Sequence, residues 1–289
     1  MKDTFFCSKF QMNCAGSLMN FDGPIVMGIL NVTPDSFFAE SRISSEDQLL
    51  QKAAKMVEEG AHILDIGGYS SRPGAKDISV EEEVERTATA IKSLKNSFPN
   101  ILISIDTFRS KVAIEAVKNG ADIVNDISGG QLDEKMFETV AQLNVPYIMM
   151  HMKGTPQNMK SLNQYKDLIQ DIQLYFSQQI SKARKAGIKD IIIDPGFGFS
   201  KDVGQNFQLM KQLELLHLHD CPILVGISRK SMIYKSLNIT SDESLNGTTV
   251  LNTIALSKGA AILRVHDVKE AVESVKLGKL IHCEESQSL

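Results

Sequence analysis

The chain has no run of basic residues, no CxxC pair and no apolar stretch near the roughly 18 residues needed to cross a bilayer. Each absence excludes a class of function. With 31 Lys and Arg against 35 Asp and Glu the net charge is −4, and nothing in its distribution points to nucleic acid or an anionic membrane as partner. An anionic ligand must therefore be held by local cations. Cys7, Cys14, Cys221 and Cys283 lie far apart, which argues against a zinc site and a disulfide framework and predicts reduced thiols. The opening MKDTFFCSKF lacks the apolar core of a signal peptide, so a cytoplasmic protein is expected. No G-x-G-x-x-G follows the first candidate strand, as a dinucleotide fold would require. That strand ends LNVTPDSF, without the H-x-H of a metal-dependent amidohydrolase. The H-x-H that does occur, His217 and His219, precedes the seventh strand and reads as a surface pair at a helix end.

What is present is a repeat. EEGAHILDIGG, KNGADIVNDIS, KAGIKDIIIDPG and SKGAAILRVHD each read as a helix stopped by glycine (Gly60, Gly120, Gly187, Gly259), followed by a short strand that ends on polar groups. IVMGIL, ILISID, VPYIMMH and CPILVGIS supply four more apolar runs, bringing the strand count to eight. Helix starts are marked by candidate capping boxes at Ser45 with Gln48, Ser79 with Glu82 and Asp267 with Glu270. In the first helix, Leu49, Leu50, Ala53, Met56 and Val57 form one apolar face. Eight strands alternating with helices in 289 residues, 43% of them hydrophobic, predict an α/β fold: a (β/α)8 TIM barrel. A doubly wound open sheet is the alternative. The segment before the first barrel strand, with CAGS as its turn, is expected to form a short N-terminal hairpin closing the barrel bottom, and no linker marks a second domain.

A barrel of this kind carries its chemistry at the carboxyl ends of the strands. The residues there are Asn31, Asp65, Asp106, Asn125, His151, Asp194, the group Ser228 to Ser231, and Arg264 with His266. One acid in such a place would be a helix cap or an ion-pair partner; eight polar ends in eight ask for a ligand. Asp106, Asn125, Asp194 and Lys230 accept and donate hydrogen bonds in the mixture that suits a flat heterocycle, and Phe199 after Asp194 would wall the pocket. Three aspartates at one mouth would also suit glycoside hydrolysis, but the asparagines and lysine disfavour it. Arg264 and His266 follow the last strand, where barrels often bind phosphate, and SRKSM opens a helix whose free N–H groups suit a second anion.

In order, and over almost the whole chain, MGILNVTPDSF, DIGGYSSRPGA, SIDT, IVNDISGG, MMHMKGTP, DPGFGFSK, GISRKSMI and RVHDV closely resemble dihydropteroate synthase. The resemblance implies one pterin-binding domain over residues 1–289 and a folate-biosynthesis transferase. Its reaction would join 6-hydroxymethyl-7,8-dihydropterin pyrophosphate to p-aminobenzoate, giving 7,8-dihydropteroate and pyrophosphate with Mg²⁺ present. It further implies a homodimer formed through helices near the carboxyl end, and a target of sulfonamides. Asp106, Asn125, Asp194 and Lys230 match the pterin pocket. Asn31, Ser71, Arg264 and His266 match the pyrophosphate site, with Asn31 also at the metal. Phe37, Arg72, Pro73, Phe199 and Ser231 match the p-aminobenzoate site. Catalytic roles are implied for Asp35, Asp106, Lys230, Arg264 and His266. Two mobile loops correspond to Val32 through about Arg42 and Gly67 through about Lys76. FAESR lacks the family's glycines, serine stands at 71 for threonine, and Tyr69 replaces a common Glu or Gln. No partnered nucleophile is evident, so a dissociative route is expected. The alternative class is a methyltetrahydrofolate-binding methyltransferase barrel, which handles no pyrophosphate.

Overall fold

The structure, a computed structural model, describes residues 6, 8–14, 16–32, 42–70 and 77–283, with backbone alone for 42–45. Strands β1 (Phe10–Cys14) and β2 (Ser17–Phe21) pair antiparallel as a hairpin. Eight parallel strands follow: β3 (Ile25–Asn31), β4 (Ile63–Gly67), β5 (Leu102–Asp106), β6 (Ile123–Asp126), β7 (Tyr147–Met150), β8 (Ile191–Asp194), β9 (Ile223–Val225) and β10 (Ala260–Val265). They close in sequence order, with β10 hydrogen-bonded to β3. This is the expected (β/α)8 barrel with its hairpin, not the open sheet. The helices are α1 (Arg42–Glu58), α2 (Val80–Ser97), α3 (Ser110–Lys118), α4 (Met136–Leu143), α5 (Leu168–Ala186), α6 (Val203–Lys211), α7 (Ser231–Leu237), α8 (Leu245–Ser257) and α9 (Val268–His282).

The period of two along each strand divides the core into two layers. Val26, Leu64, Ile103, Val124, Ile193 and Leu263 belong to the layer shared with the helices. Ile63, Leu102, Ile123, Ile148, Ile192, Leu224 and Ile262 point inward near the strand starts and pack with Met12, Cys14 and Phe21 of the hairpin. Burial of Met12 and Phe21 contributes about 2 kcal/mol each, and the Asn13 N–H donates to Asp190 Oδ2 at 3.2 Å. The barrel bottom is thus sealed by apolar contact and tied by one directional bond. The four helix-stopping glycines all have positive φ, from 89° at Gly259 to 110° at Gly120, as their position after each helix requires.

The cap readings fare unevenly. Ser79 caps α2, accepting from the Glu82 N–H at 3.1 Å, but the Glu82 carboxylate pairs with Arg86 instead of returning to the cap. Ser45 lies inside α1, which begins three residues earlier. Asp267 stands at the N-cap of α9 without capping it: both its oxygens accept from Arg229, Nε at 2.9 Å and Nη2 at 2.8 Å. A guanidinium within reach outcompetes two backbone amides because the bidentate bond is charge-assisted at both ends. The complete capping box is at Asp202 and Gln205, opening α6. The reading of four reduced thiols also needs correction. Cys14 and Cys221 are free and buried, whereas Cys283 is disulfide-bonded; separation along the chain does not measure separation in space. Among the described residues no helix is long and apolar enough to cross a membrane.

The Arg229–Asp267 pair ties the turn after β9 to the start of α9. Asp267→Ala should cost about 1–2 kcal/mol in urea unfolding, and Asp267→Ser, which caps a helix as well as aspartate does, should lose nearly as much. Full recovery by serine would assign the residue to capping.

Candidate active site

Strand register brings the polar ends to one level. Asn31 pairs with Gly67, Gly67 with Asp106, and Asp106 with Asn125. Gly67 leaves room there: a Cβ would stand 3.0 Å from Asn31 Oδ1, so the Asn31 amide would have to shift by a few tenths of an ångström. One layer deeper, Asp65 is buried to zero exposure. Its Oδ2 accepts from Arg264 Nε at 2.6 Å and from Asn125 Nδ2 at 3.1 Å. Arg264 Nη2 donates to Asp106 Oδ2, also at 2.6 Å. One guanidinium thus bridges two carboxylates from β4 and β5. Asp65 Oδ1 and Ser104 Oγ, on residues paired in register, are buried with no hydrogen-bond partner among the described residues. Burial is the main force on Asp106, raising its pKa to about 7; Arg264 opposes the rise, while Asp65, Glu83 and Asp126 add to it. Near neutrality Asp106 is divided between acid and carboxylate, a poise common at functional sites.

The stretch DPGFGFSK builds the opposite wall. Asp194 ends β8 buried at 6% exposure, and its Oδ1 accepts the Gly196 N–H at 2.7 Å. Burial raises its pKa, with Lys230 the chief opposing charge. Lys230, at the N-cap of α7, donates to the Phe197 carbonyl, and its Nζ lies 4.8 Å from the centroid of Phe199, within cation–π range. Burial pulls the Lys230 pKa down to about 8 against the attraction of Asp194. Phe199 and Phe108 pack on Ile127, Met150, Met152 and Met159, so an apolar wall rises beside a floor of alternating donors and acceptors. Such a pocket can hold a flat polar ring by its edge and an aromatic ring by its face. At its margin, Glu83 of α2 accepts from Thr107 Oγ1 at 2.7 Å and from Arg109 Nη1 at 2.9 Å. Tyr69 meets Phe108 edge-on at 5.1 Å.

Of the residues expected at the site, Asp106, Asn125, Asp194, Lys230, Arg264 and Phe199 are brought together in this way. Arg264, expected beside pyrophosphate, is paired with Asp65 and Asp106. Asn31 stands beside Gly67 and Asp106. His266 is exposed, its N–H donating to Ser228 Oγ at 3.2 Å, and Ser231 is the first residue of α7, half-buried. Asp35, Phe37, Ser71, Arg72 and Pro73 lie outside the described residues. His151 turns away from the pocket: it is buried, its Nδ1 is 3.0 Å from Lys201 Nζ, and its ring meets Tyr175 edge-on at 4.8 Å. Two contributions escaped the sequence reading. Asp65 was seen at a strand end without a role, although an inward-facing acid two residues before Gly67 was the available signal. The methionine wall left no signal beyond apolar residues near strand ends. No group of three or more His, Cys, Asp or Glu is gathered as a metal centre among the described residues. Asn31 Oδ1 is a hard oxygen donor at the mouth, which fits Mg²⁺, an ion that usually takes one or two protein oxygens and completes its shell with substrate phosphates and water.

Residues 27–266 match the pattern of the pterin binding enzyme family. The chain is 41% identical over 265 residues to the dihydropteroate synthase of Escherichia coli strain K12, covering 91% of this chain and 93% of that one. It is 45% identical over 255 residues to the dihydropteroate synthase of Synechocystis, covering 87% and 88%. A Yersinia pestis dihydropteroate synthase solved with a sulfonamide drug complex superposes with a TM-score of 0.87 at 39% identity, covering 94% and 98%. The Xanthomonas albilineans dihydropteroate synthase with 4-aminobenzoic acid gives 0.88 at 34% identity, covering 96% and 99%. A barrel whose polar strand ends converge on one pocket, and whose sequence matches these enzymes over about nine-tenths of its length, belongs to the pterin binding enzyme family, as a dihydropteroate synthase.

Proposed function

We propose that the pocket walled by Asp106, Asn125, Asp194 and Lys230 takes 6-hydroxymethyl-7,8-dihydropterin pyrophosphate, and that p-aminobenzoate binds over it against Phe199 and Ser231. The observation that carries this reading is the convergence of Asp106, Asn125 and Asp194 from three strands on one buried floor. Asp194 presents a carboxylate to ring N–H groups, with its Oδ1 already steadied by Gly196. Asn125 is oriented by the bond its Nδ2 donates to Asp65. Asn31, Arg264 and His266 would face the pyrophosphate. Bound there through Asn31 and the phosphates, Mg²⁺ would supply charge neutralisation for the leaving group.

The reaction these residues suit is dissociative. The C–O bond to pyrophosphate breaks with its electron pair leaving on oxygen, and the electron-rich dihydropterin stabilises the resulting CH2 cation. Asp106 in its ionised form and the polar floor hold that cation, while Arg264 stabilises charge on the departing oxygens. The arylamine nitrogen, neutral at pH 7, then forms the C–N bond, and the resulting ammonium loses its proton to water. No described side chain at the site is a nucleophile with a partnered base; Cys221 lies just before β9, at the far end of the barrel. A methyltetrahydrofolate-type methyltransferase would leave Arg264 and His266 without a pyrophosphate to face.

The enzyme is also proposed to act as a homodimer. Val250 and Ile254 on α8, and Leu277 and Ile281 on α9, are 51%, 38%, 62% and 76% exposed, and the two helices pack side by side. Apolar side chains gathered on adjoining helices suit a partner surface.

The function is tested by p-aminobenzoate-dependent release of pyrophosphate from the pterin substrate. With ¹⁸O in the bridging position and a p-aminobenzoate analogue lacking the amine, label should scramble into non-bridging oxygens of recovered substrate. Unscrambled label, with bound pyrophosphate shown to rotate and recombine, would favour direct displacement. Asp194→Asn turns an acceptor into a donor facing a ring N–H, a mismatch of about 3 kcal/mol, and should weaken pterin binding about a hundredfold by calorimetry. Ser231→Ala should raise the KM for p-aminobenzoate alone, and Arg264→Ala should chiefly weaken the pterin pyrophosphate; equal losses for both substrates in both variants would mean one undivided site. Ile254→Glu combined with Ile281→Glu should halve the mass found by sedimentation, and an unchanged dimer would move the interface elsewhere.

A further inference from the structure

Lys201 closes the turn after β8 and is 8% exposed. Its Nζ donates to the carbonyls of Gly196 and Phe199, each at 3.0 Å, and lies 3.0 Å from Nδ1 of His151. Burial, and next the charge of Lys201, hold the His151 pKa well below the ordinary imidazole range. The ring is therefore neutral, and with Nδ1 as acceptor all three ammonium protons find partners. One side chain thereby fastens both ends of the 196–199 turn to the residue that follows β7.

The neighbouring contacts run the same way. Ser200 takes a positive φ of 49°. Its Oγ accepts from the Lys153 N–H and donates to the Lys153 carbonyl, both at 2.9 Å, while Tyr165 donates to the Ser200 carbonyl at 2.9 Å. A Cβ on Gly196 would lie 2.1 Å from the His151 carbonyl oxygen, so the turn is pressed against β7's end with no slack. Desolvation pulls the Lys201 pKa down to about 7 although Asp194 opposes the fall, with Lys230 and Lys153 adding to it. A lysine kept from water at a cost, two residues after Phe199 of the aromatic wall, is more than two carbonyls need for satisfaction.

We propose that Lys201 is a positioning residue for the arylamine subsite, fixing the 196–199 turn so that Phe199 presents its ring at the height where p-aminobenzoate stacks. The inference rests on the dihydropteroate synthase reading of the pocket. The floor groups Asp106 and Asn125 stand on strands away from this turn, and Asp194, although its Oδ1 accepts the Gly196 N–H, is placed by β8 itself, so the two substrates should respond differently.

The test compares wild type with Lys201→Met, which keeps the stem and removes the three donors. The KM for p-aminobenzoate should rise about tenfold, the size expected when one wall of a binding site is loosened, while calorimetric binding of the pterin pyrophosphate alone stays within threefold. An unchanged KM would overturn the proposal, and so would an equal loss of both substrates, which would mark Lys201 as a general structural group. Should Lys201→Met fail to fold, Lys201→Gln, which keeps donors at shorter reach, is measured instead; the same split at about threefold supports the proposal, and an even loss or none overturns it. Wild-type protein that releases no pyrophosphate with both substrates would refute the reading of the pocket, and this inference with it; wild-type activity with no split in the variants would refute this inference alone.

Discussion

The bridge that Arg264 makes between Asp65 and Asp106 is the constraint on which the site depends. Three strands contribute to it, β4, β5 and β10, and two of them meet only because the sheet closes. One buried and one half-buried carboxylate share a single guanidinium in a medium that solvates charge poorly, so each member is confined by the other two. Asp65 fixes Arg264 from below and steadies the Asn125 amide as well. Asp106, less deeply set, takes the remaining guanidinium donor and bears the strain as a raised affinity for a proton. The arrangement orients Asp106, Asn125 and Arg264 before any ligand arrives.

The rest of the barrel divides the work between its ends. Near the strand starts the interior is isoleucine and leucine packed on the hairpin, and two residues further along each strand it turns to Asp65, Ser104, Asn125, Asp194 and Arg264. Stability resides at one end and chemistry at the other. The polar layer can therefore carry atoms that find no hydrogen-bond partner among the described residues, Asp65 Oδ1 and Ser104 Oγ, which a core without the apolar plug could less well tolerate. The turn after β8 repeats this logic locally: glycines bring backbone close, and buried lysines lock the carbonyls so exposed.

Much of this was legible in the sequence because it follows from period and punctuation. Gly60, Gly120, Gly187 and Gly259 announce helix ends, and the polar residues that stop each apolar run, Asp65, Asp106 and Asp194 among them, mark the strand ends. Partner choice was not legible. Asp267 carries a valid cap signal, yet its carboxylate goes to Arg229, 38 positions earlier; nothing around Arg264 in the sequence signals the two carboxylates that hold it, from strands about 160 to 200 residues away. Such pairings are decided by closure of the barrel, which no local pattern encodes. His151 shows the same limit, since its place at a strand end says nothing about the neighbours, Tyr175 and Lys201, that draw the ring outward.

The hairpin at the barrel bottom has a consequence for traffic. With Met12, Cys14 and Phe21 stoppering the strand starts, the interior is a vessel with a single mouth. Whatever occupies the floor must enter before whatever covers it and can leave only after the cover has gone. In the arrangement proposed above, with p-aminobenzoate over the pterin, access through one mouth would set the order of arrival as much as relative affinity does.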